Sequence, residues 1–157
     1  YRTDYEDDFE AHYKFAADGE TIVPDEGTAS VIRPGYSVNK PWFEYNQKDG
    51  QYYRFQYGKK HIDDQNNKQL HCSNIIIQFV NATLYPDGKS LDMTLTGSGN
   101  GWFITNGKAE KITWKKDQKK GRTTYLDKSG KEIVLNQGKT WICMVQNEYS
   151  NDVKISK

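Results

Sequence analysis

Gly101-Trp-Phe-Ile-Thr-Asn-Gly-Lys-Ala-Glu-Lys-Ile-Thr-Trp-Lys115 decides the fold class. Two strand-like runs, 101–105 and 108–115, flank Asn106-Gly107. An Asn-Gly pair accepts the positive φ angles of a tight turn whose twist matches its flanking strands, so the stretch reads as a β-hairpin. In its second arm Ile112 and Trp114 fall on one side, which puts Trp114 towards a core. The same reading extends outward in both directions. Thr123–Leu126 and Lys131–Leu135 flank the turn signal Asp127-Lys-Ser-Gly130, and Gln137-Gly138 turns into a strand over Thr140–Gln146. Upstream, Leu91, Met93 and Leu95 alternate with Asp92, Thr94 and Thr96, the pattern of a half-buried strand after the turn Pro86-Asp-Gly88. Leu70–Val80 carries Ile75-Ile-Ile77, a run that suits a central strand buried on both faces. Lys48-Asp-Gly50 joins residues 42–46 to 51–57 as a further hairpin, and a short strand is expected at Ala29–Arg33.

Short strands separated by turns predict a mainly β fold, an antiparallel meander closing as a sandwich or partly open barrel. Tyr5, Phe9 and Tyr13 recur at four-residue spacing behind a run of acids, which predicts one short N-terminal α-helix over about 4–18 ending at Asp18-Gly19. The β core is expected over about 29–146. At 157 residues the chain suits a single domain. It begins at Tyr1 without Met, so it is expected to be a piece of a longer protein.

Composition agrees with a β-rich core. Only 35% of residues are hydrophobic, but 11 Tyr, 6 Phe and 4 Trp supply apolar area and favour strands. A net charge of +1 argues against a dedicated nucleic-acid binder. Charge is uneven: residues 1–30 hold nine acids, and residues 108–122 hold seven bases. Such asymmetry steers a partner or docks the two regions on each other. No run of about 20 apolar residues is present. Cys72 and Cys143 are the only cysteines; they suit either two buried thiols or one disulfide, but not a zinc site.

The candidate chemistry lies in Tyr52-Tyr-Arg-Phe-Gln-Tyr-Gly-Lys-Lys-His-Ile-Asp63. Tyr53, Phe55 and Tyr57 are expected to face the core, and Arg54 the opposite, polar side. Gly58 stops the strand, and Lys59–Lys68 follows as a polar loop with His61 and Asp63. A base needs its imidazole oriented by a second group, which Asp63 can supply. Arg54 can grip a carboxylate or phosphate with two donors. The competing reading is structural, with His61 and Asp63 holding the loop closed. A metal site needs more ligands; His71 is the nearest, on another segment. Thr96-Gly-Ser-Gly-Asn-Gly101 lacks the Lys-Ser/Thr of a phosphate loop and precedes a strand, so a wide turn or bulge is expected there. No cofactor signature and no serine- or cysteine-nucleophile motif is present. Asn81-Ala-Thr83 fits a glycosylation sequon by pattern only.

Gly97-Ser-Gly-Asn-Gly-Trp-Phe-Ile-Thr-Asn-Gly-Lys108, Ile112-Thr-Trp-Lys-Lys116 and Asp127-Lys-Ser-Gly-Lys-Glu-Ile-Val-Leu-Asn-Gln-Gly-Lys-Thr-Trp141 together resemble the C-terminal domain of the YerB-like bacterial lipoproteins. Tyr53-Arg54, His61-x-Asp63 and Asn74-Ile-Ile-Ile-Gln78 fit the same pattern, and the likeness runs from about Tyr36 to Val145. The resemblance implies an extracytoplasmic protein of the Gram-positive cell envelope, held to the membrane by a lipid on an upstream cysteine outside this sequence. It brings no activity with it. The leading expectation is a non-enzymatic domain that binds or scaffolds cell-wall polymer or an envelope protein. Its recognition face would lie around Arg54, His61 and Asp63, with Trp102 or Trp114. The alternative is a cell-wall hydrolase or transferase using His61 and Asp63. That reading requires Arg54, His61 and Asp63 to converge in one open cleft with a further polar group. A third reading docks the basic segment Lys111–Arg122 on anionic membrane or teichoic acid.

Overall fold

The computed structural model describes residues 11–118 and 121–157. In chain order the strands are β1 (Lys14–Phe15), β2 (Val31–Arg33), β3 (Trp42–Asn46), β4 (Gln51–Gln56), β5 (Lys59–Lys60), β6 (His71–Cys72) and β7 (Asn74–Val80). They continue as β8 (Ala82–Leu84), β9 (Leu91–Met93), β10 (Gly97–Thr105), β11 (Lys108–Lys116), β12 (Thr124–Leu126), β13 (Val134–Leu135), β14 (Thr140–Gln146) and β15 (Lys154–Ser156). A 3₁₀ turn over Asn147–Asp152 links the last two. The chain is mainly β, in several sheets with no closed barrel.

The central sheet has the order β12-β11-β10-β7-β14, and all seven residues of β7 are buried. Burial on both faces follows from a layer on each side. Ile75, Ile77 and Phe79 pack with Ile32, Phe43, Tyr52 and Val145 against the second sheet, ordered β15-β2-β3-β4-β5. Ile76 and Val80 point the other way, into a cluster with Phe103, Ile112, Trp114, Tyr125 and Leu135. The hairpin at Asn106-Gly107 forms as expected, with φ of 48° and 73°. Its tip locks the two sheets together: Tyr52 Oη accepts from Gly107 N at 3.0 Å and donates to Ala29 O at 3.0 Å.

Several expectations need correction. Of the helix expected over 4–18, residues 4–10 lie outside the described residues. Within 11–18 no helix forms, and Lys14–Phe15 instead pairs in parallel with Val134–Leu135. The meander is not wholly antiparallel either, because β14 joins β7 in parallel. Strands also extend beyond residue 146, since β15 pairs with β2. Gly97–Gly101 is not a turn but the first half of β10. A Cβ on Gly99 would meet Trp114 Nε1 at 2.6 Å, and one on Gly101 would overlap the Ile77 carbonyl oxygen. Glycine is there to admit close neighbours rather than to bend the chain. The Leu91 strand is a peripheral ribbon with β8, and Leu91 and Leu95 are exposed.

Candidate functional site

The β3–β4 hairpin forms in the expected register, but its faces are reversed. Tyr52 and Arg54 point inward, whereas Tyr53 and Phe55 are half-buried and Tyr57 is 64% exposed. The reason lies across the sandwich. Arg54 Cζ sits 4.5 Å from the Trp141 ring centroid and 5.9 Å from that of Phe43, so the guanidinium is stacked between the sheets. Its Nη1 donates to Gln56 Oε1 at 3.0 Å and to Nδ1 of His61. No carboxylate pairs with it among the described residues, and its buried Nε lacks a hydrogen bond. Burial lowers the Arg54 pKa from its ordinary value.

His61 arrives beside Arg54 because the two-residue turn Tyr57-Gly58, with φ of 51° and 75°, folds β5 back along β4. Its backbone N–H donates to the Arg54 carbonyl at 3.0 Å. Desolvation first, and the Arg54 charge second, hold the His61 pKa below its usual value. The imidazole is thus kept neutral with Nδ1 as an acceptor. Asp63 turns elsewhere. Its Oδ1 accepts from Gln65 N at 2.9 Å and its Oδ2 from Asn66 Nδ2 at 3.1 Å, and its carbonyl accepts from Asn67 N at 2.8 Å. Asp63 is a loop clip. The structure therefore joins Arg54 to His61 and leaves Asp63 apart from both. His71 stands exposed against Tyr53, with Nδ1 3.3 Å from Gln51 Oε1. Among the described residues no three His, Cys, Asp or Glu gather as metal ligands.

The two tryptophans separate as well. Trp114 is 2% exposed, and its indole donates to the Phe79 carbonyl at 2.8 Å, so it is a core residue. Trp102 is half-buried on the face where the central sheet runs past the edge of the second sheet. Asn100 pairs there with Thr113, and Trp102 with Lys111, whose ammonium lies 5.8 Å from the Trp102 centroid. These four residues, with Lys128 and Asp127, line a hollow of about 400 Å³.

Residues 31–142 match the model of a family described as the C-terminal domain of a protein of unknown function, DUF3048. The chain belongs to that family. The DUF3048 C-terminal domain seen here is also similar to the crystal structure of the YerB protein from Bacillus subtilis. The TM-score is 0.70 at 26% identity, over 84% of this chain and 46% of that one. The chain thus spans about half the length of its structural relative. No curated protein matches it. The resemblance read from the sequence is confirmed at the level of family and fold.

Two features of the DUF3048 domain escaped the sequence. Asn74, fully buried on β7, donates to the Asn136 carbonyl at 2.8 Å and accepts from Asn136 N at 3.0 Å. Asn136 in turn exchanges hydrogen bonds with the backbone of Ile22 at 2.7 and 2.8 Å. This knot ties the N-terminal segment to the central sheet, and partners this far apart leave no local pattern. The second is an outward row across the second sheet: Trp42 stacks on Phe55 at 4.7 Å, and Arg33 Cζ lies 5.6 Å from the Trp42 centroid. Its signal, aromatic residues on both faces of the β3–β4 hairpin, was present but ambiguous. Cys72 and Cys143 are free thiols in the inter-sheet core, where burial pushes both up to about 12.

Proposed function

We propose that this domain is a non-enzymatic binding module for cell-wall glycan, carried on the outer side of the cytoplasmic membrane by a parent lipoprotein. The observation that carries the reading is the half-exposed Trp102 walling a hollow of about 400 Å³ together with Asn100, Lys111 and Thr113. An aromatic ring offers an apolar platform to the flat face of a sugar, and the amide, hydroxyl and ammonium around it satisfy hydroxyl groups. The site stands on two long paired strands, which hold it rigid. The envelope location rests on the resemblance to the YerB-like lipoproteins. The hydrolase or transferase reading lacks its dyad, since Asp63 hydrogen-bonds within its own loop and His61 Nδ1 is taken by Arg54.

Co-sedimentation with purified peptidoglycan sacculi stripped of teichoic acid tests the proposal. Wild-type protein is expected in the pellet, and Trp102→Ala in the supernatant, with both variants showing the same thermal unfolding. Equal pelleting of the two folded proteins, or no pelleting of either, would overturn it. Retention only on unstripped walls, lost between low and moderate salt, would favour docking of the basic segment instead.

A further inference from the structure

We infer that the hollow beside Trp42 is a second site, for the carboxylate or phosphate group of an acidic sugar, with Arg33 as its principal anion ligand. The inference is independent of the Trp102 face. The second sheet carries an aligned row on its outer surface. Arg33 pairs with Lys154, Trp42 with Phe55, and Phe55 with Lys60, so two aromatic rings are flanked by cations across five adjacent strands. Strands lie about 4.8 Å apart, which makes the row roughly 19 Å long. Within it, Trp42 is fixed from one side by Phe55, with ring planes 8° apart, and by its indole N–H, which donates to Glu44 Oε1 at 2.7 Å. The Arg33 guanidinium rests on this fixed ring. Among the described residues it makes no ion pair and no side-chain hydrogen bond, so its donors are uncommitted.

Next to this row is a hollow of about 520 Å³ lined by Arg33, Tyr36, Ser37, Lys40, Trp42 and Asp152, among others. It is large enough for one sugar ring with its acidic substituent. Lys40 brings a second cation, also without an ion pair among the described residues, and its backbone holds a φ of 41° directly before Pro41. Left-handed geometry is uncommon for a residue with a side chain, and the pyrrolidine ring restricts it further. The strain is held by the Tyr57 N–H donating to the Asn39 carbonyl at 2.9 Å and by Asn39 Nδ2 bonding Gln56 Oε1 at 3.4 Å. Two cations thus line one hollow together with Trp42 and Tyr36. Among the lining residues the single carboxylate belongs to Asp152, whose Cβ and backbone lie beside Gly35. A planar fork matches a carboxylate or phosphate with two donors, and an ammonium adds a point charge. A neutral sugar can accept single hydrogen bonds from these donors but brings no negative charge to pair with either cation.

Titrations followed by two-dimensional NMR, using glucuronate, glucose 6-phosphate and glucose as probes, test this directly. The two acids are expected to shift the Trp42 indole and Arg33 side-chain signals saturably, and glucose to leave them in place. Response to one acid alone identifies the group as carboxylate or phosphate. Arg33→Gln should weaken the acids about tenfold or more, and Arg33→Lys should recover only part of that, since the fork is lost. Trp102→Ala should leave the titration unchanged, which separates failure here from failure of the glycan-binding reading. Equal shifts from glucose and the acids, or undiminished affinity in folded Arg33→Gln, would overturn the inference. So would the absence of saturable shifts with either acid at millimolar concentration.

Discussion

Replacing Arg54 by methionine tests how the interior tolerates a cation without an anion. Arg54 is 6% exposed, stacked on Trp141, bonded to Gln56 and His61, and has an orphan Nε. Burying an ion costs several kcal/mol even after relaxation, on the order of 3 to 5. The unmade Nε bond adds about 1–3 kcal/mol. Against this stand a desolvated cation–π contact of about 2 kcal/mol and two hydrogen bonds from a charged donor of about 1.5–3 kcal/mol each. These contributions nearly cancel. Methionine keeps most of the apolar stem and removes both the cost and the compensation, while the partly exposed Gln56 and His61 regain water. Arg54→Met should therefore shift stability by no more than about 1 kcal/mol in either direction. Arg54→Ala also empties the space between Phe43 and Trp141 and should lose about 2–4 kcal/mol. Urea unfolding at pH 7.5, followed by tryptophan fluorescence and compared at constant slope, measures both. A loss of about 3 kcal/mol or more in the methionine variant would refute the reasoning, because it would mean the charge is strongly and favourably compensated.

Three further outcomes are expected. The His61 pKa is depressed on folding, so the unfolded chain takes up that proton more readily; stability contributed by neutral His61 is complete above about pH 6.5 and declines as pH falls towards the folded value. His61→Gln should remove that part of the slope, and identical wild-type and variant profiles of unfolding midpoint between about pH 7.5 and 5 would contradict it. Gly101→Ala should cost about 2–4 kcal/mol by forcing β10 from the Ile77 carbonyl. Gly27→Ala, with open space around it, should change the thermal midpoint negligibly, and equal effects would show that close approach is not what Gly101 provides. Finally, Cys72 and Cys143 should react with an aromatic disulfide reagent at pH 8 only after urea is added, and rapid native labelling would contradict their burial.

Much of the architecture was legible in local signals. Asn106-Gly107 can hardly be anything but a hairpin turn, and Ile75-Ile-Ile77 needs cover on both faces. What failed was whatever depends on distant partners. Alternation in Tyr52–Tyr57 defines two faces, but aromatic residues occupy both, so nothing local says which one meets Trp141 on β14. Charge favours the outward face for Arg54, and only its stacking on Trp141 and Phe43 overrides that preference. The spacing of His61 and Asp63 allows a dyad and a loop clip equally, and Asn66 and Gln65 decide between them. Gly99 and Gly101 resemble a flexible turn until Trp114 and the Ile77 carbonyl are seen against them. Trp102 and Trp114 are both hairpin tryptophans, but the register sends them to opposite faces: Trp114 is enclosed with Phe103, Ile112 and Tyr125, whereas Trp102 lies at the margin of the inter-sheet layer and stays half-open.

The position of β7 has a consequence for how the chain is made. Its antiparallel neighbour β10 follows after a short ribbon, whereas its parallel neighbour β14 appears only after β11, β12 and β13. During synthesis one edge of Asn74–Val80 therefore stays unpaired while the strand is already on a growing sheet. That segment carries no charge and no proline, the profile of a strand that recruits other chains. The vulnerable interval ends when Trp141–Val145 docks, so slow translation or truncation before β14 should favour aggregation over a merely loosened monomer.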